Sequence, residues 1–152
     1  MKRAVWLLAL AGCGKSEDPE GLSRRELRPE HRELVVRFAE AVVRKDYKAA
    51  YKDLSATYDA EVGWDGFLES IGRYRDRAEA DPTFTLSATE DDPKRIAEDS
   101  LVELMVPRHL RGKIAEEVAV SFDLKGEEGW TLVCWIVDEG GTWKILNYYQ
   151  DD

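Results

Sequence analysis

The sequence predicts an α+β fold: two or three helices followed by an antiparallel sheet of four to six strands. Three observations carry this. Between Pro29 and Asp81 the apolar residues recur at helical spacing. After Pro82 the period changes to two, as in strands with one buried face. Gly140-Gly141 separates two apolar runs, where a two-residue hairpin loop belongs. Helices first and strands afterwards, without βαβ alternation, is the α+β order.

The chain starts outside that fold. Lys2-Arg3 precedes the short apolar run Ala4-Val5-Trp6-Leu7-Leu8-Ala9, and Leu10-Ala11-Gly12-Cys13 follows. Basic residues, an apolar segment and small residues at a cleavage point, in that order, read as an export signal. Leu, two small residues and Cys resembles the lipobox of bacterial lipoproteins. The resemblance implies cleavage before Cys13 and lipid on its sulfur and new amino group. Residues 1–12 are then a signal peptide, 13–28 a lipidated Cys and polar tether, and 29–152 a single domain. The apolar run is far shorter than the roughly 20 residues a membrane span needs. In the lipoprotein family an Asp after the Cys usually marks retention at the inner membrane. Gly14 stands there, which leaves cell membrane and outer membrane both open.

Gly14-Lys15-Ser16 resembles the end of a phosphate-binding loop, but Ala9 occupies the position of its first Gly. Glu17, Asp18 and Pro19 stand where the phosphate-capping helix would begin. A nucleotide site is not expected.

The full chain of 152 residues carries a net charge of -9. Cleavage removes Lys2 and Arg3 from the 22 basic residues, leaving 20 against 31 acidic ones, a net of -11. Such a surface repels nucleic acid and anionic head groups alike. Membrane attachment must then come from acyl chains, two or more for a stable anchor. With Cys13 lipidated, Cys134 has no disulfide partner. It lies in the apolar run from Trp130 to Val137 and is expected to be a buried, inert thiol.

Pro29-Glu30 opens the first helix, since Pro suits a position whose N–H has no partner. Leu34, Val35, Phe38, Ala41 and Val42 form its buried side, with Arg32, Glu33, Arg37 and Glu40 between. Asp46 is placed to cap a second helix bearing Tyr47, Ala50, Tyr51 and Leu54. Ser55 to Tyr58 is expected to end it. A third helix starts near Trp64-Asp65, buries Phe67, Leu68, Ile71 and Tyr74, and stops at Asp81-Pro82. Phe84, Leu86 and Ala88 then alternate with Thr85, Ser87 and Thr89 as a first strand. Glu90 to Pro93 breaks the run. Leu101 to Val106 is expected as a second strand, ended by Pro107. Val118, Val120, Phe122 and Leu124 mark the next, Gly126 to Gly129 turns the chain, and Trp130 to Val137 and Trp143 to Tyr149 form the closing hairpin.

With Gly140-Gly141 as a two-residue loop, Ile136 faces Ile145 and Leu132 faces Tyr149. On the other face Trp135 meets Leu146 and Val133 meets Tyr148. Both faces are apolar, whereas a half-exposed antiparallel strand alternates with polar residues. Something must cover the second face: the rest of a bent sheet, or a second molecule. A homodimer contact through Trp135, Leu146 and Tyr148 is expected.

Phe38-Ala39-Glu40-Ala41, Asp46-Tyr47-Lys48-Ala49-Ala50-Tyr51, Leu54-Ser55, Trp64 to Phe67 and Gly141-Thr142-Trp143-Lys144-Ile145 resemble the nuclear transport factor 2-like (cystatin-like) superfamily of half-cone domains. The resemblance runs from Glu30 to Gln150. It implies a strongly bent antiparallel sheet wrapped over the helices, with a pocket between them. That family holds isomerases, cyclase-like enzymes and non-catalytic envelope domains, so fold alone does not name an activity.

The enzymatic members use an Asp or His base and a Tyr donor inside the cone. This chain offers His31, among charged residues of the first helical turn, and His109 in a polar corner, and both read as solvated. Asp138 ends a strand beside the turn and faces water. Asn147 is the polar residue expected on an inward face, beside Cys134, as a hydrogen-bonded core amide. Tyr47, Tyr51 and Trp64, with Tyr74, Trp143 and Asn147, line a pocket or fill the core. Glu90-Asp91-Asp92 lacks the ligand alternation of a calcium loop. Two separated His and one remaining Cys do not make a four-ligand zinc set without carboxylates, and there is no nucleophile elbow. No catalytic residue, metal or cofactor is assigned. The expectation is a non-enzymatic envelope lipoprotein that binds an envelope protein or a small apolar ligand, or packs within a larger assembly. The alternatives are an isomerase-like or cyclase-like enzyme, or an immunity or stress protein whose acidic face neutralises a basic partner.

Overall fold

The computed structural model describes residues 26–75, 83–88, 92–123 and 130–151. The signal segment, Cys13, most of the tether, the Asp81-Pro82 stop, Glu90-Asp91, Leu124, the Gly126–Gly129 turn and the Tyr74 side chain lie outside the described residues. Eleven elements follow in order among those described: helices α1 (Pro29–Val43), α2 (Tyr47–Lys52), α3 (Ala56–Glu61) and α4 (Gly63–Arg75); strand β1 (Phe84–Ala88); helices α5 (Pro93–Ala97), α6 (Ser100–Met105) and α7 (Arg108–Arg111); and strands β2 (Ile114–Phe122), β3 (Trp130–Glu139) and β4 (Thr142–Asp151). The fold is α+β, as the order of periods required.

Pro29 stands in the first turn of α1, and Leu34, Val35, Phe38, Ala41 and Val42 are all buried. The helix ends in a Schellman turn: Lys45 N donates to Val42 O at 3.0 Å and Asp46 N to Ala41 O at 2.9 Å. Lys45 occupies the left-handed position with φ 62°. Asp46 then caps α2 through Ala49 N at 3.1 Å. Ser55 does not end a helix. It caps α3, accepting from Tyr58 N at 3.1 Å. Because its hydroxyl satisfies an otherwise orphaned N–H, the chain restarts as a helix there. In α4, Phe67 and Ile71 are buried.

The sheet is a four-stranded antiparallel meander in the order β1-β2-β3-β4. Gly140 and Gly141 have φ of 64° and 90°, so both loop residues of the β3–β4 hairpin are left-handed. Segment 53–55 docks against β4: Ile145 N donates to Asp53 O at 2.8 Å and Ser55 N to Ile145 O at 2.9 Å. Arg37 of α1 clamps the same segment, its Nε and Nη2 donating to Asp53 Oδ1 at 3.0 and 2.7 Å.

The sheet is covered on both faces. Helices α1 to α4 bury Leu34, Phe38, Phe67 and Ile71 against Val118, Val120, Leu132, Ile136 and Ile145. On the opposite face Ile96, Val102 and Val106 pack on Ile114, Trp135, Val137 and Leu146. The strand expected over Leu101–Val106 is therefore a helix. Asp99 Oδ1 accepts from Leu101 N at 2.8 Å and starts α6, just as Asp92 starts α5 through Arg95 N at 2.9 Å. Val102 and Val106, four apart, are buried together, while Leu104 is 81% exposed. A strand would have put all three on one face.

This helical excursion is the cover that the apolar second face demanded. Trp135 and Leu146 lie beneath it, and Trp135 Nε1 donates to Glu117 Oε2 at 2.7 Å. The face expected to pair with a second copy is closed by the chain itself. Tyr148 lies on the other face, in the main core. A β-bulge explains that. Ile136 pairs with Ile145 as expected, but Trp135 pairs with Asn147 and Cys134 with Tyr148, so Leu146 is an extra residue. The pairings expected for Leu132, Val133 and Trp135 are each displaced by one. A second bulge separates Ile114 from Glu116 in β2. It lets Ile114 serve one core and Val118 the other.

Candidate functional site

A cleft of about 390 Å³ opens where α4, α6 and the end of β4 meet. Glu69 and Ser70 of α4 face Met105 of α6 and Tyr148 and Tyr149 of β4 across it. The β4 bulge helps to build it. Asn147 Oδ1 accepts from Tyr148 N at 2.8 Å, and its Nδ2 donates to Met105 O at 3.3 Å. That amide ties the last turn of α6 to the strand and fixes the width of the opening.

A hydroxyl chain runs from the core to the cleft lining. Tyr58 OH donates to Tyr148 OH at 3.3 Å, and Tyr148 OH donates to Ser70 Oγ at 3.0 Å. The two phenol rings stack at 5.7 Å with a 17° tilt. Burial pushes the Tyr148 phenol well above its usual range and raises that of Tyr58. Both stay protonated at neutral pH and act as fixed donors and acceptors. Tyr149 is pushed up to about 12, first by burial and then by the charges of Glu117, Asp151 and Asp99.

The residues expected to line a pocket are elsewhere. Tyr51, Trp64 and Phe67 form an aromatic cluster, with Tyr51–Trp64 centroids 5.1 Å apart and Tyr51–Phe67 5.3 Å. Tyr47 packs on the same core. Asn147 braces the cleft rather than lining it. Tyr51 OH also donates to Asp59, which raises its phenol to about 12.

His31 is not solvated. It is 1% exposed, its Nδ1 shares a hydrogen bond with Glu116 of β2, and Glu116 is 2% exposed. The Trp143 ring meets the imidazole edge-on at 4.3 Å, and the Arg28 guanidinium lies 5.5 Å from the centre of the Trp143 ring. His31 Nε2 and Glu116 Oε1 are buried without a hydrogen-bond partner among the described residues. One signal in the sequence pointed here. Glu116 falls in step with Val118, Val120 and Phe122, and an acid on a buried face requires a partner. His109, in α7, is exposed as expected, and so is Asp138, whose carboxylate accepts from Gly141 N at 2.8 Å.

Cys134 is buried, and burial pushes its thiol up to about 12, which leaves it inert near neutral pH. Among the described residues no three His, Cys, Asp or Glu side chains gather as a metal site. No helix among them is long and apolar enough to cross a membrane. Chemically, the cleft offers hydroxyl donors and acceptors, a solvated carboxylate and a thioether. Such groups can hydrogen-bond and pack against a small molecule.

Comparison with protein-family models and with curated proteins finds no match for this chain.

Proposed function

We propose that this chain is an exported envelope lipoprotein, held at a membrane by acyl chains on Cys13, whose domain is a half-cone binding module of the nuclear transport factor 2-like kind. The cleft between α4, α6 and β4 carries the binding half of this reading. Its lining converges from three elements, with polar side chains from α4 and β4, and its carboxylate, Glu69, is exposed rather than desolvated beside the tyrosine. Catalysis by a carboxylate needs the opposite arrangement, a base whose pKa is tuned by burial. The address rests on Leu10-Ala11-Gly12-Cys13 behind a basic and apolar start. The antiparallel meander under α1 to α4 supports the half-cone.

Mass spectrometry of the mature protein from its native host tests the address. The expected species begins at Cys13 and carries acyl mass, and Cys13→Ala moves the protein out of the membrane fraction. An unmodified chain that retains Met1 would overturn it.

One observation favours an isomerase-like or cyclase-like enzyme: the imidazole of His31 is paired with Glu116 and its Nε2 is unsatisfied among the described residues. That reading requires substrate to reach Nε2. Turnover of a small enolisable ketone that is abolished by Glu116→Gln, in a protein that remains folded, would establish it.

A further inference from the structure

We propose that the cleft between α4, α6 and β4 recognises a small organic ammonium, a protonated amine on a compact apolar body. The inference rests on the binding-module reading and names its ligand class. Among the described residues that line the cleft, the charged one is Glu69, and no Lys or Arg accompanies it. Tyr149 reports the local field: after burial, the causes that raise its phenol are the carboxylates of Glu117, Asp151 and Asp99. They come from β2, from the end of β4 and from the cap of α6, so negative charge surrounds the hydroxyl of Tyr149, a residue of the lining. With the carboxylate of Glu69 in the cleft itself, this charge disfavours an anionic ligand.

The rest of the lining suits an ammonium as well. The hydroxyl oxygens of Ser70 and Tyr148 have lone pairs that accept from N–H donors. The half-buried ring of Tyr149 supplies aromatic surface, which attracts a cation within about 6 Å of a ring centre. Met105 adds a polarizable apolar contact for the body. A volume of about 390 Å³ lies near the lower end of ligand pockets, roughly 300–1,000 Å³. The lining is more polar than an apolar ligand would select.

The chain carries its own reporter. Its two methionines are Met1 and Met105, so methyl labelling places one of two signals in the cleft. The full-length protein, in a maltoside detergent that contains no ammonium, is titrated with 2-phenylethylamine, 2-phenylethanol and 3-phenylpropionate. These share a phenyl body and differ mainly in charge. The amine is expected to shift the Met105 methyl saturably and to bind at least about threefold tighter than the alcohol. Glu69→Gln, at an exposed site that should not disturb folding, is expected to weaken the amine about threefold to tenfold and leave the alcohol unchanged. Equal or tighter binding of the alcohol or the carboxylate overturns the ammonium class and leaves the binding module standing. An amine affinity unmoved by Glu69→Gln overturns it likewise. If none of the three shifts Met105, the binding module falls with it.

Discussion

His31 of α1 and Glu116 of β2 form a hydrogen-bonded pair that is 1% and 2% exposed, joining the first helical turn to the bulged start of a strand 85 residues away. Removing one partner from such a pair leaves a polar group buried and uncompensated. Losses of about 3–5 kcal/mol are usual where the survivor is charged. His31→Ala is therefore expected to destabilise the fold by about that amount. The double variant His31→Leu, Glu116→Leu should recover at least half of the loss, because matched apolar groups carry no desolvation penalty. Urea unfolding of the three proteins measures this. A loss below about 1 kcal/mol for His31→Ala means that the carboxylate is being satisfied in some other way.

Ser55 is the joint between the helical layer and the outer edge of β4. Its hydroxyl accepts from Tyr58 N and donates to Leu146 O, each at 3.1 Å, while its own N–H donates to Ile145 O. Ser55→Ala removes a helix cap and leaves a buried carbonyl at the bulge without that donor. A loss of about 2 kcal/mol is expected, more than the ~1 kcal/mol of a surface cap alone. Ser55→Thr should retain most of the stability if the extra methyl fits. A loss under about 0.5 kcal/mol for Ser55→Ala would show that only the backbone bonds at this joint matter.

How far the sequence disclosed the fold depended on which face each residue used. Phe38, Phe67, Val120 and Ile145 were readable because one-sided burial leaves a period in the chain. Gly140-Gly141 and Asp46 were readable because a left-handed hairpin loop and a helix cap each demand particular residue types. Leu101 to Val106 was not, since six apolar-rich residues fit a buried strand and a short helix equally well. Its cap, Asp99, lies just upstream and decides the matter. The bulge at Leu146 was hidden for another reason: an extra residue in an apolar strand leaves no polar mark. The displaced register then moved Tyr148 into the main core and turned Asn147 toward α6. The cleft had no local signature at all. Ser70, Met105 and Tyr149 come from three elements and meet only after folding.

Lys45 holds φ 62° at the end of α1, where glycine is the usual occupant of a Schellman turn. An L-residue there costs roughly 1–2 kcal/mol in backbone sterics. Glycine relieves that cost but gains freedom in the unfolded chain, about 0.4–1 kcal/mol. Lys45→Gly is thus expected to stabilise by about 0.5–1 kcal/mol, whereas Lys45→Val, with its branched carbon, should destabilise by a similar amount. Chemical denaturation of both variants checks the sign. Destabilisation by Lys45→Gly would show that the lysine side chain makes a contact that outweighs its backbone.

Cys134 and the tyrosines of β4 set the alkaline limit of the fold. The usual thiol value is 9.0, and burial pushes Cys134 up to about 12. Below pH 9 the thiol is protonated whether the chain is folded or unfolded, and its contribution to stability is fully present. Between 9 and 12 the unfolded chain loses the proton while the folded one keeps it, so stability falls as pH rises. The slope is about 1.4 kcal/mol per pH unit for one group. Above pH 10 the slope steepens, because Tyr149 is also pushed up to about 12 and Tyr148 well above its ordinary value. Unfolding free energy should therefore show no decline from these groups between pH 7 and 9, then drop with increasing slope. Cys134→Ala lowers stability throughout by opening a small cavity but should delay the decline to about pH 10. A Cys134→Ala protein that weakens from pH 9 as steeply as the parent would refute a buried thiol as the first group to yield.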